Sequence, residues 1–255
     1  MVNEGELVLL YGGRRARYLL QYKPGLNFSS HLGEITLPEH LEYGTVVESH
    51  KGYKFVVLRP SLSDMILHIK RQTTVMYPKD IGYLILETGL KEGSIVAEVG
   101  SGSGGLTTAL ASIVGERGKV HSFERREEFQ KLAMENVKKY GLLSRVNFYL
   151  KDVSIEGFGL ENLEIIFVDV PEPWTVVKWA REALAGGGFW ASLSPNIEQV
   201  QKTVSELKAE NFVMIKTVEI LEREIMVRDV GTRPKETMIS HTGYLTVARK
   251  VNPLQ

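Results

Sequence analysis

Between Val96 and Thr107 the chain reads VAEVGSGSGGLT, an apolar run, a cluster of glycines and the start of a second apolar pattern. In this arrangement a buried strand turns through a bare loop into a helix, and the helix's first N–H groups face whatever the loop cradles. Gly100, Gly102 and Gly105 satisfy the G-x-G-x-x-G spacing of dinucleotide sites, while Gly100, Gly102 and Gly104 satisfy the tighter G-x-G-x-G of S-adenosylmethionine sites. Glu98 separates the two. An acid two residues before the first glycine suits the cationic amino group of a methionine moiety and disfavours a pyrophosphate.

Further acids follow at similar intervals. The run KVHSFE ends in Glu124, where a carboxylate can hold the ribose hydroxyls of either cofactor, and Asp152 follows the next apolar run. Asp152 could accept a hydrogen bond from an adenine amine or serve as an ordinary helix cap. A fourth run ends FVDVPEPW, placing Asp169 before Pro171, Pro173 and Trp174. This resembles the [D/N]-P-P-[aromatic] signature of methyltransferases acting on planar nitrogens, with an extra residue between its elements. Prolines hold the backbone so that a carboxylate can meet a flat amidine edge. Trp174 could stack on a base or plug the sheet.

Four acids at the carboxyl ends of successive strands require a sheet that delivers them to one edge. The pattern predicts helix at Asp80–Gly89, strand at Ser94–Val99, helix at Gly105–Val114 and strand at Lys119–Glu124. It continues with helix at Glu127–Tyr140, strands at Val146–Leu150 and Ile165–Val168, helix at Thr175–Leu184, strand at Gly188–Leu193 and helix at Ile197–Glu210. Strands at Met214–Leu221 and Gly243–Arg249 close the chain. Such alternation implies an α/β fold, a parallel sheet with helices on both faces. Residues 1–70 read differently. Short β-like runs (Leu7–Tyr11, Tyr18–Tyr22, Thr45–Ser49 and Lys54–Leu58) broken by Gly12-Gly13, Pro24-Gly25 and Lys51-Gly52 suggest a small β-barrel or sandwich. The domain boundary is therefore expected near residue 70, with residues 71–255 forming the larger domain.

Composition narrows the function. No cysteine is present, which excludes disulfides, thiolate metal sites and cysteine nucleophiles. The six histidines are scattered without helical metal-ligand spacing, so no metal is expected. No apolar run approaches a bilayer span and the N-terminus lacks a basic flank, so a soluble, cytoplasmic protein away from the membrane is expected. Lysine plus arginine equals aspartate plus glutamate at 31 each, so any nucleic-acid contact must be local. Arg14, Arg15, Arg17 and Lys23 form the dense basic cluster of the N-terminal segment, which equally suits a solvated hairpin edge.

Several segments together resemble the tRNA (adenine-N1)-methyltransferases of the TrmI type, which modify the adenine at tRNA position 58 and, in some archaeal members, its neighbour at 57. The likeness rests on Ser49–Asp80, the EVGSGSGGLT loop, FVDVPEPW, LSPNIEQVQ (Leu193–Gln201) and HTGYLTVAR (His241–Arg249). It implies a small N-terminal β-domain, a Rossmann-like seven-stranded methyltransferase domain, S-adenosylmethionine as methyl donor, the T-loop adenine of tRNA as acceptor, and a homotetramer. On this resemblance Glu98 and the loop Gly100, Ser101, Gly102, Ser103, Gly104, Gly105 and Leu106 hold the methionine part. Glu124 holds the ribose and Asp152 the adenine, with Arg125 a further cofactor-binding residue. Asp169 meets the target base and the donor's amino group, and Tyr77 lies near the target base unless it is merely a staple before a helix starting at Pro78. Arg14, Arg15, Arg17, Arg71 and Gln72 are the RNA-contacting candidates. Competing readings are a protein or small-molecule methyltransferase, an NAD-dependent dehydrogenase, and a non-catalytic RNA-binding subunit. Glu98 argues against the dehydrogenase, and the intact loop with Asp169 argues against the inactive subunit.

Overall fold

The computed structural model describes residues 1–252, and the chain divides into two compact units, Met1–Ile69 and Lys70 onward. In the first unit the strands are β1 (Leu7–Tyr11), β2 (Arg17–Gln21), β3 (Asn27–Ser30), β4 (Gly33–Thr36), β5 (Val46–Glu48) and β6 (Lys54–Leu58), followed by helix α1 (Leu62–Leu67). Four of them form an antiparallel sheet in the order β2-β1-β6-β5, and β3 and β4 make a separate hairpin. The sheet is open, so of the barrel and the sandwich expected from the turns, the barrel does not close. Sheet and hairpin share one apolar core, in which Val8, Leu10, Ile35, Leu37, Phe55 and Val57 are almost fully buried. Gly12 is required by this packing, because a Cβ there would lie 2.6 Å from the Phe55 ring. The hairpin β3–β4 escapes the sequence pattern because half of its residues are polar and face outward. Helix α1 also goes unforeseen, although Ser61 and Asp64 form a reciprocal capping box at its start.

The second unit runs α2 (Pro78–Thr88), β7 (Ile95–Val99), α3 (Gly105–Val114), β8 (Lys119–Glu124), α4 (Glu127–Lys139), β9 (Val146–Leu150), α5 (Val153–Glu156) and β10 (Leu163–Val168). It continues with α6 (Val177–Ala183), β11 (Leu184–Ser194), α7 (Ile197–Ala209), β12 (Phe212–Glu219), the short ribbon β13 (Ile225–Met226) and β14 (Arg233–Pro234), and β15 (Tyr244–Lys250). Seven strands form one sheet in the order β12-β15-β11-β10-β7-β8-β9. Val96–Val99 and Ile165–Val168 are buried without interruption. Successive strand residues point to opposite faces, so both faces of the sheet centre are covered. Each large side chain enclosed there, such as Trp190 and Phe167, stabilises the fold by about 1.5–3 kcal/mol.

The sheet is not wholly parallel as expected. The last strand, β15, runs antiparallel to both β11 and β12. Strands β12 and β15 are sequence neighbours in the sheet, joined by an arm without a crossover helix, and such a connection returns the chain in the opposite direction. The remaining register positions the chemistry: Val99 pairs with Phe123 and Val168, and Glu124 pairs with Leu150, so four strands end together on one edge.

Candidate active site

At that edge a cleft of about 180 Å³, open to solvent, is lined by the glycine loop, the ends of β8 and β10, and the segment before α2. Gly100 turns the chain with φ +96°, and a Cβ on it would lie 2.3 Å from the Asp169 carbonyl oxygen. Asp169 N–H donates to Val99 O at 2.9 Å, which fixes this contact. The glycine is thus demanded by the approach of β10's continuation to the loop. Gly104 (φ +81°) is bare for a similar reason, since a Cβ would meet Ala133 of α4 at 3.0 Å. It caps α3 from outside the cleft, whereas Gly100, Ser101, Gly102, Ser103, Gly105 and Leu106 all line it.

Glu124 is almost fully buried and turned towards the loop. Its carboxylate accepts from Gly102 N–H at 3.1 Å and from Arg126 N–H at 3.1 Å. Asp152 caps α5, accepting from Ser154 N–H at 3.0 Å and the Ser154 hydroxyl at 2.6 Å on Oδ1. Its Oδ2 faces Arg125 at 3.5 Å. The Ser154 hydrogen bonds chiefly hold the Asp152 carboxyl below its ordinary range. Asp152 is therefore a helix cap through one oxygen, while the other accepts from Arg125 at the cleft. Glu124, Arg125, Asp152 and half-buried Asp169 all line the cleft. Desolvation pushes the Asp169 carboxyl up to about 6.

Glu98 lies elsewhere than expected. It is fully buried and does not line the cleft. Oε2 accepts from the Thr107 and Ser122 hydroxyls at 2.6 Å each, and Oε1 is buried without a hydrogen-bond partner. Desolvation pushes its carboxyl up to about 7, against the two hydroxyl bonds and with the help of the Asp169 and Glu124 charges. Trp174 stays outside the cleft too, with the Lys202 ammonium 4.6 Å over its ring. Tyr77 caps α2 with its backbone, Pro78 following at the first helical position, and is not among the cleft-lining residues. Arg14, Arg15 and Arg17 are exposed in the first unit, around the β1–β2 turn, while Arg71 and Gln72 are exposed in the second. Among the described residues no group of three His, Asp or Glu side chains could hold a metal ion, and no helix is long and apolar enough to cross a membrane.

The wall formed by Thr73, Thr74, Val75 and Met76 escaped the sequence reading because an irregular segment carries no periodicity. Its anchor is Ser103, whose Oγ accepts from Gln72 and Thr73 N–H at 3.2 Å and pairs with the Thr73 hydroxyl at 2.8 Å. Buried Asn136 of α4 completes the tie. It donates to Lys70 O and Ser103 O at 2.9 and 2.8 Å and accepts from Lys70 N–H at 3.0 Å. A polar residue buried on an otherwise apolar helix face was the available signal.

A sheet of this order, with a glycine loop after its first central strand and acids closing the next three, is the S-adenosylmethionine-dependent methyltransferase fold. A Thermotoga maritima structure described as a SAM-dependent O-methyltransferase superposes with a TM-score of 0.90 at 36% identity, covering 100% of this chain and 96% of that one. The Aquifex aeolicus tRNA (m1A58) methyltransferase TrmI superposes with a TM-score of 0.80 at 31% identity, covering 98% and 99%. The Methanocaldococcus jannaschii protein named tRNA (adenine(57)-N(1)/adenine(58)-N(1))-methyltransferase TrmI is 38% identical over 94% of each chain. The family model for the tRNA methyltransferase complex GCD14 subunit matches residues 52–233. The chain belongs to that family.

The residues present fit the methyl donor. The N-terminus of α3, whose first N–H groups have no helical acceptor, opens on the cleft at Gly105 and Leu106 and suits a carboxylate. Glu124 offers acceptors for ribose hydroxyls, and Asp152 Oδ2 one for an adenine amine.

Proposed function

We propose that this protein methylates N1 of an adenine in the T-loop of tRNA, at position 58, with the adjacent 57 as a second acceptor. The observation that carries this reading is Asp169, a desolvated carboxylate on the cleft, tied by its backbone to the strand that leads into the glycine loop. The names of the TrmI relatives support the acceptor.

When bound, S-adenosylmethionine supplies an electrophilic methyl on a sulfonium centre. Adenine N1 already carries a lone pair, so no residue of the chain has to remove a proton before attack. What remains is orientation and charge. Asp169 accepts a hydrogen bond from the exocyclic amine, sets the amidine edge against the donor site and stabilises the positive charge that grows on the purine. The same carboxylate then takes the amine proton.

N1 lies on the Watson–Crick edge, so the base is extruded into the cleft. Stacking by Tyr77, which follows the Thr73–Met76 wall but does not line the cleft, requires its ring to turn in when the base is bound. Zero net charge is answered by assembly. A cytoplasmic homotetramer collects Arg14, Arg15, Arg17, Arg71 and Gln72 from several copies into an RNA groove. The arm between β12 and β15 supports self-association, since it exposes Val227 at 78% and Val230 at 89%.

Incubation with unmodified tRNA transcript and S-adenosylmethionine, followed by nucleoside mass spectrometry and position mapping, tests the reading. N1-methyladenosine in the T-loop is the expected product, absent with Asp169→Ala. A methyl group on a hydroxyl oxygen would favour the description carried by the Thermotoga structure, and near wild-type turnover by Asp169→Ala would refute its role.

A further inference from the structure

We propose that Glu98 acts on the methyl donor through a chain of two hydroxyls, Ser122 and Ser101, which turns Ser101 Oγ into an acceptor dedicated to the donor's ammonium group. Binding of that ammonium ionises Glu98 and releases its proton to solvent. The proposal rests on S-adenosylmethionine being the ligand of the cleft.

The chain is continuous and short. Ser122 Oγ lies 2.6 Å from Glu98 Oε2, and Ser101 Oγ lies 2.6 Å from Ser122 Oγ. A serine hydroxyl has one proton to give. Ser122 gives it to the carboxylate, so Ser122 can only accept from Ser101, and Ser101 gives its own proton inward. Ser101 is among the residues lining the cleft, and a hydroxyl that gives its proton inward keeps only lone pairs for a ligand. A ligand that only donates, such as an ammonium, is the matching group, and a ligand oxygen lacking a proton is rejected.

The carboxyl is prepared for the change of charge. Oε2 already receives two hydroxyl protons, from Ser122 and Thr107, so the acid proton belongs on Oε1, the buried oxygen without a partner. The ionised groups acting on Glu98 from the neighbouring strand ends are Asp169 and Glu124, both negative. Burial, with these negative neighbours, raises the carboxyl to about 7, so that it is partly protonated at neutral pH. A cation brought to Ser101 favours the ionised form, and the proton leaves.

Calorimetric titration of the full chain with S-adenosylmethionine and with S-adenosylhomocysteine, at pH 7 in two buffers of different ionisation heat, counts that proton. Wild type should release measurably more proton per site than Glu98→Gln, because a carboxyl raised to about 7 is partly protonated at pH 7 before the ligand binds. Subtracting the variant cancels any proton exchanged by the ligand's own amine. Ser122→Ala should lose the release and bind roughly tenfold more weakly, as expected when a bond to a charged group is broken. Ser122→Thr, which keeps the hydroxyl, should restore both. If Ser122→Ala does not fold, Ser101→Ala breaks the same chain at the cleft. Equal proton counts in wild type, Glu98→Gln and the serine variants, with binding intact, would overturn this proposal alone. Absence of binding by either ligand to wild type would refute the S-adenosylmethionine reading and this proposal with it.

Discussion

Replacing Glu98 by Gln should stabilise the ligand-free protein at alkaline pH and leave it nearly unchanged under mildly acidic conditions. The carboxyl is fully buried, and its folded pKa of about 7 stands against an ordinary 4.5. Ionising it inside the fold therefore costs about 3 kcal/mol more than ionising it in the unfolded chain. A raised pKa means that the folded state holds the proton more tightly. The contribution is fully present below pH 4.5, falls as pH rises, and is lost above about 7. Glutamine keeps an oxygen for the Thr107 and Ser122 hydroxyls and has no charge to desolvate. Wild type should consequently lose about 3 kcal/mol relative to the variant between pH 4.5 and 8, equivalent to roughly 6–12 °C of melting temperature for a domain of this size. Urea and thermal unfolding of both proteins at pH 4.5, 6 and 8 give the measurement. Parallel stability curves across that range would refute the account of Glu98 as a desolvated acid.

Turnover should depend on Asp169 being ionised, so kcat/KM should fall about tenfold per pH step below about 6 and level off above it, as read from single-turnover rates on tRNA between pH 5 and 8. Gly100→Ala should cost at least about 2 kcal/mol in unfolding free energy and abolish donor binding, because the added methyl collides with the Asp169 carbonyl at a positive φ. Asn136→Ala should release the Thr73–Met76 wall, lowering stability by about 3 kcal/mol and weakening donor affinity in equilibrium titration. Reversing the charges of Arg14, Arg15 and Arg17 should weaken tRNA binding and flatten its dependence on salt. An unchanged slope would remove that turn from the RNA surface.

What could be read in advance follows from where periodicity is strong. Gly105–Val114, Lys119–Glu124 and Val146–Leu150 fall where the sequence pattern places them, because a buried parallel strand or a helix with one apolar face leaves an unambiguous trace. The direction of β15 left none, since its composition is the same either way and only the path of the preceding arm decides it. Side-chain aim was equally hidden. Glu98 has the spacing of a ligand-contacting acid yet points beneath the loop, and Trp174 ends under Lys202. Asp152 shows the reverse case, a residue whose two oxygens do different work.

The contact between Gly100 and the Asp169 carbonyl has a consequence for how this scaffold can change. The glycine loop and Asp169 are locked together by main-chain atoms of two adjacent strands, so their separation is a property of the backbone that side-chain substitution barely reaches. Residues beyond the lock, Pro171, Glu172 and Thr175, line the same cleft without taking part in that contact. New acceptors could therefore be accommodated by redrawing one short loop while the transfer distance is inherited intact. Selection on such a molecule would act separately on what is methylated and on how well methyl transfer is aligned.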